Sequence, residues 1–380
     1  MRRVMIVYGT RPEAVKVATL IGALRQAPDL EPVVVVTGQH RQLLDQVNEL
    51  FEIVPDHDLD IITPRQTLAD VTTRVLTGAS AVIQSVRPDA VVVQGDTTTS
   101  FAAALAAFYE KVPVVHVEAG LRTDDRYSPF PEEVNRRLTG RLASVHLAPT
   151  ATNRANLLAE GIPSSDIVVT GNTVIDALFD VVARRAPYSD PALASLVESG
   201  RRIVLVTTHR RESWGEPMRS AVGAIADVAR SHPEISVVLP LHRNPVVREV
   251  VEPALGGLPN VLLTESLPYA EFARLMSDSA LVLTDSGGVQ EEAPSLGKPV
   301  LVLRENTERP EAVTAGTVRL VGTERSTVRT ALLSLLDDEA SYARMATAMN
   351  PYGDGKATPR CVAAIADLLG TGFRIADFDG

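Results

Sequence analysis

Short runs of Val, Ile, Leu and Ala recur along this chain, separated by longer stretches in which polar residues return at helical intervals. Val4–Tyr8, Pro32–Thr37, Ala90–Gln94 and Pro113–Val117 form a first set of runs; Ile203–Thr207, Ser236–Leu239, Leu281–Thr284 and Pro299–Leu303 form a second. A run that is apolar at successive positions, not alternate ones, reads as a strand covered on both faces. Strands of that kind belong to parallel sheets with helical crossovers. Segments such as Pro12–Ala27 and Thr97–Tyr109 are long enough to be those crossovers, and Pro12 suits a first helical position, where its missing N–H costs nothing. The pattern predicts an α/β chain of two domains of similar size with a cleft between them. The boundary is expected near Gly171-Asn172, giving domains 1–171 and 172–358, with 186–191 as an alternative seam. A last helix at about Pro359–Gly370 leaves the segment 359–380 open to pack back on the first domain.

Polar residues fall at telling places. Gly9-Thr10-Arg11, Gly38-Gln39-His40, Gly95-Asp96 and Glu118 each follow a predicted strand of the first set; His209, His242, Asp285-Ser286 and Arg304 follow strands of the second. Ligands of open parallel sheets bind outside the carboxyl ends of the strands, so these residues are the candidate chemistry.

Composition narrows the field. A length of 380 residues suits two domains. With 45% hydrophobic but only 4% aromatic residues, the cores must be aliphatic. A formal charge of −10 leaves no excess of cations to neutralise a nucleic-acid backbone, whereas a small phosphorylated ligand needs only a few local ones. The single cysteine, Cys361, excludes an intrachain disulfide framework and disfavours a cysteine metal site. The apolar start of MRRVMIVYGTRPE ends too soon for a signal peptide, and no run approaches the ~18–20 residues that span a bilayer. A soluble cytoplasmic protein, bound neither to nucleic acid nor to membrane, is the expectation.

Several motifs carry chemistry. Asp285-Ser286-Gly287-Gly288 ends a strand and opens a helix, so backbone N–H groups and the helix dipole can meet an anion there; a plain strand-to-helix turn has the same sequence. Glu292, one turn on, is suited to ribose hydroxyls or to solvent. Arg309 can supply a cation to phosphates or form a structural ion pair. Arg11 and Lys16 stand at the first strand–helix junction, where a pair of solvated surface cations is the simpler reading. No GxGxxG follows that strand, which counts against a nicotinamide cofactor.

Asp96, Glu118 and Glu132 are the acid–base candidates, although Glu132 near a helix start also suits a dipole partner. Arg122 and Arg136 are placed to neutralise or orient these acids, and Arg136 joins the substrate-binding set on that ground. Carboxylates brought together titrate apart, which divides acid and base roles at one pH. His209 is the best-placed histidine. No spacing of His, Asp and Glu suggests a metal site, and no GxSxG elbow suggests a hydrolase.

The strings GTRPEAVK (9–16), VTGQHRQ (36–42), QGDTTTS (94–100), HVEAGLRT (116–123), FPEEVNRRLTG (130–140), THRRES (208–213), DSGGVQEEAPSLGKPVLVLR (285–304), TERPEAVTAGTVRLVG (307–322) and NPYGDG (350–355) together resemble the non-hydrolysing UDP-N-acetylglucosamine 2-epimerases of bacteria. The resemblance implies two Rossmann-like domains in the GT-B arrangement, their parallel sheets facing an interdomain cleft, and a homodimer. It implies a UDP-N-acetylhexosamine substrate, with no nicotinamide and no essential metal. By the same resemblance Asp96, Glu118 and Glu132 are the catalytic carboxylates and His209 the essential histidine. Arg11, Lys16, Phe272, Ser286, Gly287, Gly288, Glu292 and Arg309 fall on nucleotide-sugar positions. Leu267 stands where the family often carries glutamine, which leaves the uracil contact open. Gln39, Gln42, Arg65 and His242 match a second UDP-N-acetylglucosamine site that activates some members.

The expected reaction is reversible inversion at carbon two by anti-elimination of UDP, through a 2-acetamidoglucal, and re-addition. A GT-B glycosyltransferase, a hydrolysing relative and a non-catalytic UDP-sugar sensor are the alternatives.

Overall fold

The computed structural model describes residues 1–38, 41–63, 65–123 and 125–380, the side chains of Arg41, Gln42, Leu43 and Glu212 excepted. Two compact units share the chain: Met1–Ala177 with Tyr352–Gly380, and Leu178–Pro351.

The first unit is built on a seven-stranded sheet of order β3-β2-β1-β4-β5-β6-β7. Its strands are β1 (Arg2–Tyr8), β2 (Leu30–Val36), β3 (His57–Asp58), β4 (Ala90–Gln94), β5 (Val114–Val117), β6 (Val145–Ala148) and β7 (Ile167–Val169). The second unit has a six-stranded sheet of order β10-β9-β8-β11-β12-β13. There the strands are β8 (Ile203–Thr207), β9 (Ser236–Pro240), β10 (Val261–Thr264), β11 (Leu281–Thr284), β12 (Val300–Val302) and β13 (Val318–Leu320). Every strand pair is parallel, as the successive apolar runs predict.

The reason lies in burial. Val4 to Tyr8 and Ala90 to Val93 have no exposed surface at all, so both faces of β1 and β4 are covered. The first crossover helix, Arg11–Gln26, turns Ala14, Val15, Val17, Ala18, Leu20, Ile21 and Leu24 inward. It begins one residue before Pro12, because Thr10 and Glu13 form a capping box that fixes its start. The last helix, Ala357–Leu368, packs on this one, with a hydroxyl contact of 2.8 Å between Thr358 and Thr19. Its first turn is held by the Asp176 carboxylate, which accepts the Ala357 and Thr358 N–H groups at 3.1 and 2.8 Å.

Two histidines lie inside the first sheet. His116 on β5 and His146 on β6 are register partners and each is 1% exposed. His116 Nε2 lies 2.7 Å from the Gly95 carbonyl oxygen, a contact that makes Nε2 the protonated nitrogen of the neutral ring and steadies the backbone just before Asp96. Burial pushes both rings toward the neutral form, to about 3 for His116 and about 4 for His146.

These values make stability fall with acid. A folded pKa below the unfolded one means that the unfolded chain binds the extra proton, so stability is full above about pH 6.5 and is lost as pH falls toward 4. Each ring contributes a slope of about 1.4 kcal/mol per pH unit in that window. Denaturant titrations of the intact protein at pH 7 and pH 5 should show the loss, and His146→Asn should remove about half of this histidine-dependent slope. An unchanged slope would mean that the rings are not held neutral.

Candidate active site

In a sheet of either order, one pair of neighbouring strands sends its crossovers in opposite directions, which opens a crevice outside the strand ends. That pair is β1 and β4 in the first unit, and β8 and β11 in the second. The residues that follow these strands are Gly9-Thr10-Arg11 and Gly95-Asp96, then Thr208-His209-Arg210 and Asp285-Ser286.

In the first unit one buried carboxylate joins the two loops. Glu13, 1% exposed, accepts the Gly9 and Thr10 N–H groups on Oε2 at 3.0 and 2.8 Å. On Oε1 it accepts the Thr97 and Ser100 hydroxyls at 2.7 and 3.0 Å. The first pair belongs to the loop after β1 and the second to the crossover after β4, so Asp96 and Arg11 are carried on loops with a common anchor. Arg11, first residue of its helix, is half-buried.

Asp96 presents its Oδ2 to Arg136 Nη2 at 2.5 Å, and its carbonyl oxygen accepts the Asn135 amide at 3.0 Å. Burial pushes the Asp96 carboxyl up; Arg136 and Lys16 oppose this, Glu118 and Glu132 reinforce it, and the balance lies above the ordinary value. Glu132 opens the helix Glu132–Leu142, and Arg136 stands one turn on. Arg122 differs from expectation: its guanidinium forms two bonds to Glu160, at 2.7 and 2.9 Å, so of the two arginines considered only Arg136 reaches a candidate acid.

Glu118 follows β5 with a left-handed backbone, φ +61°, a conformation that costs a side-chain-bearing residue on the order of 1–3 kcal/mol. Its side chain is 8% exposed and paired with the Lys16 ammonium. Oε1 also accepts the Asn172 amide at 3.0 Å, and Oε2 the Gln94 amide at 2.5 Å. Lys16 is thus a partner of a candidate base and not a solvated surface cation. Glycine at position 95 suits its left-handed backbone, φ +67°, and a Cβ there would stand a tight 3.3 Å from Glu118 Oε2.

The second unit repeats the device. Asp285, with no exposed surface, accepts the Thr208 hydroxyl and the His209 and Arg210 N–H groups on Oδ2 at 3.1, 2.8 and 2.9 Å. His209 Nδ1 lies 3.1 Å from Oδ1, so the carboxylate sets the ring's orientation. Burial would raise the Asp285 carboxyl, but the bond and charge of His209 and the backbone donors outweigh it and hold it below the ordinary value. The His242 ring stacks on His209, 6.0 Å between centroids, and is pushed toward neutrality by burial and by its neighbour.

Ser286 precedes the helix Gly287–Ser295, and its N–H donates to the Thr284 hydroxyl at 2.9 Å. A Cβ on Gly287 would lie 2.7 Å from Arg309 Nη1, so glycine lets the guanidinium rest against the helix start. Arg309 is held by Glu291 at 2.6 Å and by Glu308 at 2.9 Å. Glu308 also receives Arg210 at 3.1 Å and Arg304 at 2.7 Å. Burial would raise its carboxyl, but the Arg309 charge, a backbone N–H and Arg304 outweigh it and hold it down at about 2. Gly288 is open, Glu292 is buried, and Phe272 is half-buried on the helix Tyr269–Asp278. A helix start with three guanidiniums beside it suits a diphosphate.

Of the residues matched to a second nucleotide-sugar site, Gln39 and the Gln42 side chain lie outside the described residues, Arg65 is exposed, and His242 is the stacking partner of His209. Among the described residues no group of His, Cys, Asp and Glu could hold a metal ion, and no helix is long and apolar enough to cross a membrane. Sequence reasoning gave no role to Glu13, Gln94, Asn172 or Glu308. The Thr10-x-x-Glu13 spacing is a legible capping box, and Asn172 and Glu308 suit a helix cap and a local ion pair, but none of these patterns points to the site.

Known proteins of one kind resemble this chain. Residues 22–366 match the family model described as UDP-N-acetylglucosamine 2-epimerase. The UDP-N-acetylglucosamine 2-epimerase of Escherichia coli K12 is 52% identical over 369 residues, 96% of this chain and 98% of its own. A Listeria monocytogenes crystal structure, provisionally named a UDP-N-acetylglucosamine 2-epimerase, is 49% identical with a TM-score of 0.94, over 100% of this chain and 99% of its own. The Neisseria meningitidis UDP-GlcNAc 2-epimerase bound to UDP-GlcNAc is 46% identical with a TM-score of 0.84, over 96% and 100%.

The two anchoring carboxylates yield a stability prediction. Glu13→Ala or Asp285→Ala leaves several buried donors without an acceptor and should cost about 3 kcal/mol or more. Glu13→Gln and Asp285→Asn keep an acceptor in place and should cost clearly less. Thermal and urea unfolding of the four variants tests the order, and equal losses for Ala and amide variants would contradict it.

Proposed function

The chain belongs to the UDP-N-acetylglucosamine 2-epimerase family, and we propose that it interconverts UDP-N-acetylglucosamine and UDP-N-acetylmannosamine by eliminating UDP and adding it back. The proton on carbon two is poorly acidic, because no carbonyl adjoins that carbon in the ring. Departure of UDP removes the difficulty. As the bond from carbon one to the diphosphate oxygen breaks, its electron pair leaves with UDP and cationic character develops at carbon one. A carboxylate then takes the carbon-two proton, and the C–H electron pair closes the double bond of a 2-acetamidoglucal. Delivery of a proton to the opposite face and return of UDP to carbon one complete the inversion.

This scheme needs two proton-transfer groups in unlike states, one ready to accept and one ready to give. The observation that carries the reading is that Asp96 and Glu118 are held differently at neighbouring strand ends. Glu118 is ringed by an ammonium and two amides, all donors, while burial and the charges of Glu118 and Glu132 work to raise the Asp96 carboxyl against Arg136. Unlike environments of this kind divide acid from base. Glu132 supplements the set. In the second unit the Gly287 helix start and Arg309 support the diphosphate as it gains charge, and His209, oriented by Asp285, is a further donor to it. Arg11, in the first unit, is assigned to the nucleotide sugar. Phe272 and Glu292 are assigned to the nucleoside.

Incubation of the protein with UDP-N-acetylglucosamine in deuterated water, followed by NMR, tests the reaction. Deuterium should enter carbon two of an intact UDP-sugar in both epimers. Free N-acetylmannosamine as the only product, or no exchange, would overturn it. Asp96→Asn or Glu118→Gln should lower kcat by about 10²-fold or more, with the Kd for UDP changed by less than about 3-fold. Arg309→Ala should instead raise that Kd by about 10-fold or more. A fully active Asp96→Asn protein would remove Asp96 from the mechanism.

A further inference from the structure

We infer that Asn172 is a positioning residue for the proton-transfer step, acting through Glu118; the inference rests on the assignment of Glu118 just made. Asn172 is 3% exposed, and its side-chain amide has only one workable orientation. Its Oδ1 accepts the Val174 N–H at 3.1 Å, capping the first turn of the helix Thr173–Ala183. The amide nitrogen is therefore the end that faces Glu118 Oε1, at 3.0 Å.

The backbone of Asn172 is fixed as firmly. Its N–H donates to the Tyr352 carbonyl oxygen at 2.6 Å. Gly171 before it has φ +80°, and a Cβ there would meet the Gly353 Cα at 3.3 Å. Asn172 thus lies where the segment leaving the first unit runs against the segment that re-enters it at Tyr352. One short side chain ties that junction to a carboxylate held at the end of β5.

The chemical consequence is specific. An amide N–H donates to a carboxylate oxygen that carries a lone pair, so the Asn172 contact selects the ionised, proton-accepting form of Glu118 and fixes where Oε1 points. Lys16 shares that oxygen, and Gln94 holds the other. A carboxylate with both oxygens fixed is already oriented when it meets the proton.

Asn172→Asp separates this role from a structural one. Aspartate caps a helix as well as asparagine does and has the same shape, so the cap is kept. It places an acceptor against Glu118 Oε1, and two carboxyl groups so close raise each other's affinity for a proton, although Lys16 opposes this. In wild type kcat/KM should rise with pH as the base loses its proton. In Asn172→Asp that acid limb should move to higher pH by about one unit or more, with the Kd for UDP changed less than about 3-fold. Asn172→Ser keeps a cap acceptor but loses the reach to Glu118, and its limb should move the same way by less. A fall in kcat with the limb unmoved in both variants would overturn the inference, and if Asn172→Asp does not fold, the serine variant alone decides. Glu118→Gln distinguishes the two levels. If it stays active, the assignment of Glu118 itself fails. If it is inactive while the Asn172 limbs stay fixed, only the positioning role fails.

Discussion

A carboxylate taken out of water must be surrounded by donors, and each unit organises its switch point around one such group. Desolvating an ionised side chain is too costly to leave uncompensated. Loops that supply the compensation are therefore held in the shape that lets their N–H and hydroxyl groups converge. Glu13 draws the Gly9-Thr10 turn and the Thr97-Ser100 crossover to a single point. Asp285 does the same for Thr208, His209 and Arg210. Neither needs to touch a substrate, yet Arg11, Asp96 and His209 stand on the backbone they fix.

That economy suits a site of dense charge. Around Glu308 three guanidiniums lie within 3.1 Å, an arrangement whose mutual repulsion the glutamate offsets. The cations are already placed, so the proposed diphosphate would meet them with little side-chain ordering left to supply. The first unit follows the same logic with the signs reversed. Asp96, Glu118 and Glu132 repel one another, and Arg136 and Lys16 keep the cluster tolerable without silencing it.

Much of this was legible in the sequence, for a reason that also marks its limit. The apolar runs at β1, β4, β5, β8 and β11 are strong because both faces of those strands are covered, and the residues that follow them are the ones the structure brings to the switch points. Two of the edge strands, β3 and β13, were silent. β3 has two residues, and β13 carries Arg319 exposed between Val318 and Leu320, so neither produces a run. β6 is interrupted by His146, whose burial no periodicity announces. Among side chains, Asp96 and Glu118 were found because a strand delivers them. Gln94 and Asn172 were not, because Glu118 lies 24 and 54 residues away in the chain; Glu308 pairs locally with Arg304 and Arg309, but its tie to Arg210 spans 98 residues. Arg122 misled for the same reason: proximity to Glu118 in sequence says nothing about Glu160.

The strained backbone around Glu118 is the last consequence of the aliphatic frame. Gly95, Glu118 and Gly120 all have positive φ, at +67°, +61° and +95°. Only the middle one pays a Cβ for it. Glycine at 120 is needed because a side chain there would come within 2.3 Å of the Asn153 carbonyl oxygen, and that close approach is what turns the chain sharply after β5. A glutamate in such a conformation persists only where its surroundings over-determine it. β4 and β5 are buried along their length, His116 secures the Gly95 carbonyl, and Lys16, Gln94 and Asn172 take both carboxylate oxygens. The strain is local and modest, a few kcal/mol at most, against a core of tightly packed valine and alanine. What it secures is direction: the carboxylate leaves the sheet edge at one angle, in one rotamer, with its two oxygens distinguished by their partners.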